Sequence, residues 1–267
     1  MTAPEPTSET TTAPPTARPG ALLARVPELT VVFWVLKLLT TGMGETASDY
    51  LAHTIGPVPA VCLSGVALVA ALATQLAAKR YVPWVYWTAV AMVSVFGTVA
   101  ADVAHVGLGV PYAVSTVGFA VVLALVLVLW YRREGTLSVH SIDTTRREVF
   151  YWVTVLTTFA LGTAVGDLTA VVLGLGHLGS AVLFAVAFAV PALAHRRVGL
   201  GPVAAFWTAY VITRPLGASV ADWMGVSHAR GGLGLGTGAI TLAWAAAIAA
   251  IVGYTVASGR ARAATVD

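Results

Sequence analysis

The sequence predicts an all-α, polytopic membrane protein with eight transmembrane helices arranged as four parallel two-helix repeats. Three observations carry that prediction. Of 267 residues, 58% are hydrophobic and only 10% charged, against about 25% charged in an ordinary soluble domain. The apolar residues fall in long blocks, several of which reach the roughly 20 residues that a spanning helix needs. One pattern of Trp, Gly and Asp also recurs four times along the chain.

The chain opens with a segment rich in Pro and Thr, residues 1–25, which has too few bulky apolar side chains to fold and predicts a disordered cytoplasmic tail. Its acids and prolines do not make a secretory signal. Eight apolar spans follow, at about 29–51, 58–78, 84–105, 111–131, 149–171, 174–194, 203–224 and 234–256. All should be helices, because lipid offers the backbone no hydrogen-bond partner and the spans lack the short alternation of a barrel strand. The expected organisation is repeat 1 over 26–80, repeat 2 over 81–145, repeat 3 over 146–198, repeat 4 over 199–258 and a cytoplasmic C-terminal tail over 259–267.

Orientation follows from the fifteen Lys and Arg. Arg18 and Arg25 precede the first span, Lys79 and Arg80 follow the second, and Arg132, Arg133, Arg146 and Arg147 follow the fourth. Arg196 and Arg197 follow the sixth and Arg260 and Arg262 the eighth, leaving Arg230 alone in the loops of the other side. The positive-inside rule then places both termini in the cytoplasm of a bacterial inner-membrane protein. The single cysteine, Cys62, excludes a disulfide framework or CxxC site. The net charge of +3 gives no sign of nucleic-acid binding. No nucleotide-binding, hydrolase or metalloprotease motif appears, so the expectation is a protein that is not an enzyme and holds no cofactor.

The repeated pattern is an aromatic residue, Trp, nine residues, Gly, four residues, Asp. Its copies are Phe33-Trp34…Gly44…Asp49, Tyr86-Trp87…Gly97…Asp102, Tyr151-Trp152…Gly162…Asp167 and Phe206-Trp207…Gly217…Asp222. A given Trp would meet both partners by chance roughly twice in a thousand, so the repeat is real. Each unit holds a motif helix, a plain apolar helix and a basic loop, and an even number of spans keeps all units in one orientation. On these residues the chain resembles a family of bacterial integral membrane proteins built from four tandem two-helix repeats with a characteristic Trp, the domain of unknown function 347 repeat. The resemblance runs from about Glu28 to Gly253 and implies the eight-helix architecture, with Trp34, Trp87, Trp152 and Trp207 as the family's tryptophans. It implies no activity and no catalytic residue.

Fifteen residues of helix, about 22 Å at about 1.5 Å per residue, separate each Trp from its Asp. A Trp at the cytoplasmic interface therefore puts Asp49, Asp102, Asp167 and Asp222 at equal depth in the outer half, with Glu45 one turn before Asp49. Together with Lys37 and Arg214, these residues would cost on the order of 20 kcal/mol if ionised and unpaired at the bilayer centre, more than the about 5–15 kcal/mol net stability of a domain. Five acids face two bases, so a cation or proton is the expected partner besides the lipid bilayer, and oxygen ligands favour hard ions. Against this, an Asp near a helix end can simply cap backbone groups. Glu45, Asp49 and His53 form an i, i+4, i+8 stripe that is the candidate metal site, although His53, His105, His177 and His228 also read as ordinary loop histidines. Arg214, preceding Pro215, is a candidate counter-ion to Glu45 or to an Asp, a ligand for an anionic substrate or a structural salt bridge.

The repeated Trp read as interfacial anchors, or less readily as stacking platforms, and Gly44, Gly97, Gly162 and Gly217 as close-packing positions. The functional expectation is a transporter or permeation protein for a small solute, a divalent metal or a proton-coupled species, acting through its intramembrane carboxylates. The alternative is a non-transporting assembly or sensor module whose buried acids are structural.

Overall fold

The computed structural model describes residues 25–264. The expected N-terminal tail lies outside the described residues except for Arg25, and so do residues 265–267 of the expected C-terminal tail. Eight long helices account for the fold: α1 (Val31–Ile55), α2 (Pro57–Ala77), α3 (Pro83–Asp102), α4 (Tyr112–Glu134), α5 (Thr145–Asp167), α6 (Gly176–Val198), α7 (Pro202–Gly225) and α8 (Thr237–Ala264). No strand occurs among the described residues. The helices α3 and α5 each continue into one wider, π-type turn, Val103–Gly107 and Leu168–Val172, directly after Asp102 and Asp167. The last helix extends past the expected end at 256 and into the segment expected as tail.

Local sequence sets most boundaries. Proline stands in the first turn of α2, α3 and α7, where its missing N–H costs nothing and its φ is already helical. Thr30 and Thr144 cap α1 and α5, each hydroxyl accepting from a backbone N–H at 3.4 Å. The helices α4 and α6 stop at glycines in the left-handed region, Gly135 (φ 70) and Gly199 (φ 73).

Six helices, α2, α3, α4, α5, α6 and α8, are long and apolar enough to cross a membrane. The other two hold Lys37, Glu45 and Asp49 (α1) and Arg214 and Asp222 (α7). The motif helices α1, α3, α5 and α7 form an inner ring in which each touches the next and α7 closes back onto α1. The plain helices lie outside it, and each packs chiefly on the inner helix of the following repeat: α2 on α3, α4 on α5, α6 on α7, and α8 on α1. They turn rows of large apolar side chains outward, such as Val58, Val66 and Val69 on α2 and Val117, Val121 and Leu125 on α4. Such a continuous apolar exterior is far beyond what a water-soluble monomer exposes.

Two sets of repeated residues close the ring. A methyl group on Gly44 would collide with Ser94, on Gly97 with Phe159, on Gly162 with Arg214 and on Gly217 with Thr41. Each glycine thus packs on the residue seven after the Trp in the next repeat, and the fourth packs on the first. Small residues let helices come this close, where dispersion and interhelical bonds hold them. The aromatic layer repeats the cycle at one end: Phe33 packs on Trp87 (5.8 Å between centroids), Tyr86 on Trp152 (5.5 Å), Tyr151 on Trp207 (6.3 Å) and Phe206 on Trp34 (5.7 Å). A hydrogen bond of 2.5 Å joins the Tyr86 and Tyr151 hydroxyls within it.

The expected role of the tryptophans as interfacial anchors is corrected here. Trp87, Trp152 and Trp207 are buried and Trp34 is half-buried, so the rings plug one end of the inner ring instead of facing headgroups. Their polar handles find protein partners, as buried indoles must: Trp207 Nε1 donates to the Leu137 carbonyl at 2.9 Å and Trp152 Nε1 to Glu148 at 3.5 Å.

A candidate carboxylate and histidine ion site

The inner ring carries its charged residues in layers between the aromatic plug and the opposite end. Nearest the plug is Lys37, then Arg214, then Glu45, and last the four aspartates. Arg214 extends from α7 to all three other inner helices. Its Nη2 donates to Glu45 Oε2 at 2.5 Å, to Thr163 Oγ1 at 2.8 Å and to Thr98 Oγ1. Glu45, Thr98 and Thr163 are the same position, eleven after the Trp, in repeats 1, 2 and 3, and repeat 4 has Ala218 there. One guanidinium in the fourth repeat thus serves three equivalent positions, and the expected pairing of Arg214 with Glu45 is what the structure contains.

The four aspartates lie one turn further on, all half-buried, and Asp102 and Asp167 come together. Ser48 Oγ donates to Asp102 Oδ2 at 3.4 Å. Asp102, His105 and Asp167 bring one ligand atom each to within 4.8 Å of one another. His177 Nδ1, from the start of α6, is 3.3 Å from Asp222 Oδ2 without the alignment of a hydrogen bond. Glu45 lies four residues before Asp49 on α1, between this layer and Arg214.

His105 is the best-defined member. Its Nε2 lies 2.6 Å from Ser115 Oγ, and Ser115 gives its own proton to the Tyr112 carbonyl at 3.0 Å. With Ser115 accepting, as its own bond to Tyr112 allows, Nε2 carries the hydrogen and a neutral His105 has its lone pair on Nδ1. That Nδ1 is buried without a hydrogen-bond partner and faces Asp167 Oδ2 at 3.8 Å. A lone pair opposed to a carboxylate is repulsive unless a proton or a metal ion lies between them. A histidine oriented by a hydrogen bond from its far nitrogen is also the usual arrangement of a metal ligand. The π-type turns after Asp102 and Asp167 bring these residues together, and such turns recur at functional sites.

The expected metal set of Glu45, Asp49 and His53 is not assembled. His53 is exposed and its Nδ1–H donates to the Asp49 backbone carbonyl on its own helix at 2.7 Å, while Glu45 is held by Arg214 and Thr98. Among the described residues the grouping of ligand atoms belongs instead to Asp102, His105 and Asp167. His228, expected on the same side, is exposed in the α7–α8 connection.

A second buried polar network, at the aromatic end, escaped the sequence reading. Glu148 is fully buried; it takes a 2.7 Å ion pair from Arg25 and a 2.7 Å hydrogen bond from Gln75 Nε2. Its sequence signal is weak: it lies four residues before Trp152, where the other repeats have Thr30, Pro83 and Val203. In the α2–α3 connection, burial pushes the Tyr81 phenol up to about 12, so this side chain stays a neutral donor.

No curated protein and no solved structure matches the chain. The model of the family described as Repeat of Unknown Function (DUF347) matches it four times, over residues 32–81, 85–136, 150–199 and 205–261. Four tandem matches over most of the chain, on the four units that carry the Trp, Gly and Asp pattern, mean that the protein belongs to the DUF347 repeat family.

Proposed function

We propose that this is a multi-pass protein of the bacterial inner membrane that binds a divalent metal ion or protons at the Asp end of its inner ring and moves a small solute across the bilayer. The observation that carries the reading is the grouping of one ligand atom each from Asp102, His105 and Asp167 within 4.8 Å of one another. One imidazole nitrogen with two carboxylates suits ions of intermediate softness, such as Mn²⁺, Fe²⁺ or Zn²⁺. Asp49, Asp222 and His177 extend the same cluster toward the half-exposed rim. The protein acts without a resident cofactor and is not an enzyme.

The four repeats share one orientation and are related by an axis along the membrane normal. Identical contacts at all four interfaces of the inner ring support this, since antiparallel neighbours would meet at different depths. The basic loops lie at the aromatic end, so the positive-inside rule puts that end in the cytoplasm and the aspartates toward the outside. An ion entering from the outer face meets Asp49, Asp102, Asp167 and Asp222 first. To go further it must compete with Arg214 for Glu45, because fixed positive charge on the axis repels cations. Parting of that pair is the gating step, and it couples ion occupancy to the rest of the ring.

A non-transporting assembly or sensor module is the second reading, favoured by the closed aromatic layer at the cytoplasmic end. The deciding experiment uses purified protein reconstituted in vesicles that enclose a metal-sensitive or a pH-sensitive dye. The transport reading expects uptake of one divalent ion or of protons well above that of empty vesicles, and a drop of at least about tenfold in Asp167→Asn, the loss of roughly one charged ligand. Vesicles no more permeable than empty ones to all the ions and to protons would leave the module as the better account.

A further inference from the structure

We infer that Lys37, Arg214 and Tyr210 form a second site on the axis of the inner ring, distinct from the carboxylate cluster, that holds a small monovalent anion of the halide or nitrate class. Lys37 is 1% exposed and its Nζ has no hydrogen-bond partner. It lies over the ring faces of Phe159, at 3.8 Å from the centroid, and Tyr210, at 4.3 Å. Arg214 is 0% exposed, and all its hydrogen bonds use Nη2, so Nε and Nη1 are buried without partners. The Tyr210 hydroxyl is buried and unpartnered as well. The Arg214 guanidinium approaches the same Phe159 ring, with Cζ 5.5 Å from the centroid.

The unsatisfied groups on the two cationic side chains are all donors. A charged lysine offers three N–H groups and no acceptor, and arginine accepts nothing. The missing partner is therefore an acceptor. Charge narrows it further. A charged Lys37 and Arg214 would share one bonded counter-charge, Glu45, because the four aspartates lie a further turn away and Glu148, at the aromatic end, is held by Arg25 and Gln75. Aromatic faces relieve an ammonium only in part, and an unpaired buried charge is among the most costly features a protein can hold. Water would satisfy the donors and leave the charge. A monovalent anion satisfies both, and the complete burial of Lys37 and Arg214 suits a small one. The sequence marks the same place, because Lys37, Tyr210 and Arg214 break the fourfold symmetry: the positions equivalent to Lys37 and Tyr210 in repeats 2 and 3 are Val90 and Val155, and those equivalent to Arg214 in repeats 1, 2 and 3 are Thr41, Ser94 and Phe159.

The test is the melting temperature of the purified full chain, brought from a gluconate buffer into chloride, bromide or nitrate at constant ionic strength. The expected result is a saturable rise with the small anions, as binding to the folded state requires. Lys37→Met should abolish the saturable rise and Lys37→Arg should keep it. If Lys37→Met does not fold, Tyr210→Phe removes a single hydroxyl and should weaken the midpoint about tenfold, the loss of one hydrogen bond to a charged group. Anomalous scattering from bromide-soaked crystals supplies an independent readout and should show one peak beside Lys37 Nζ. A wild-type response no different from gluconate, or one that persists unchanged in Lys37→Met and Tyr210→Phe, would overturn the site and leave Lys37 as an uncharged amine in its aromatic cage. Repeating the titration in Asp102→Asn/Asp167→Asn separates the two sites, since the anion response should survive there whether or not the carboxylates bind a cation.

Discussion

Replacing Arg214 by alanine should lower the stability of the folded chain by about 3–5 kcal/mol, the cost of leaving one member of a buried ion pair uncompensated. The residue is fully buried and its Nη2 serves Glu45, Thr98 and Thr163 on three different helices, so the substitution strands a carboxylate and leaves two hydroxyls short of a donor. Its Cβ and Cγ also fill the space beside Gly162, which adds a packing loss. Denaturation in detergent measures the effect. The double variant Glu45→Gln/Arg214→Gln should recover most of it, because no stranded charge remains and both amides still pair. An Arg214→Ala variant as stable as the wild type would mean that the guanidinium does not hold the inner helices together.

Neutralising all four aspartates, as Asp49→Asn/Asp102→Asn/Asp167→Asn/Asp222→Asn, should abolish ion-dependent flux and leave the unliganded protein at least as stable as before. The reason is electrostatic. Four carboxylates and Glu45 lie within about one helical turn at the end of the ring away from the aromatic layer, and like charges held together cost stability unless an ion is bound. Residues kept for function commonly carry such a cost. Acids that served only to tie helices together would behave in the opposite way, and their removal would lower the melting temperature sharply. Flux and melting temperature measured on one variant therefore separate transport from a structural role.

The eight helices and the fourfold repeat were legible in the sequence because each rests on a local property. Apolar runs report spanning length, and the spacing from Trp through Gly to Asp survives in every copy. That Arg214 would meet an acid was legible as one alternative, but with Glu45 and four aspartates as candidates the choice of Glu45 came only from the structure. What was not legible depended on contacts between helices. Gly44 meets Ser94 and Gly217 meets Thr41 only because the ring closes in a particular direction, and no spacing along one helix encodes that direction. The stripe Glu45, Asp49, His53 had the better spacing for a metal site on a regular helix. His105 replaced His53 because α3 widens into a π-type turn after Asp102, which shifts the register that a count of residues assumes, and because Ser115 from α4 fixes the imidazole. The tryptophans looked like interfacial anchors because an amphipathic ring suits a headgroup region. They are buried because each indole packs on the aromatic residue of the preceding repeat, and Leu137 and Glu148 accept from two of the N–H groups.

Whether the acids of the inner ring and His105 hold a cation decides between an ion site and a purely structural cluster. The direct measurement is the melting temperature of the detergent-purified protein against Mn²⁺, Fe²⁺, Zn²⁺, Mg²⁺ and Ca²⁺, compared with Asp102→Asn and His105→Ala. At an ion concentration about a hundredfold above Kd, binding adds roughly 2.7 kcal/mol to stability. The predicted result is a rise of several degrees selective for one of the ions of intermediate softness, reduced in both variants. A response that is flat across the panel, or equal in wild type and variants, would contradict the carboxylate and histidine site.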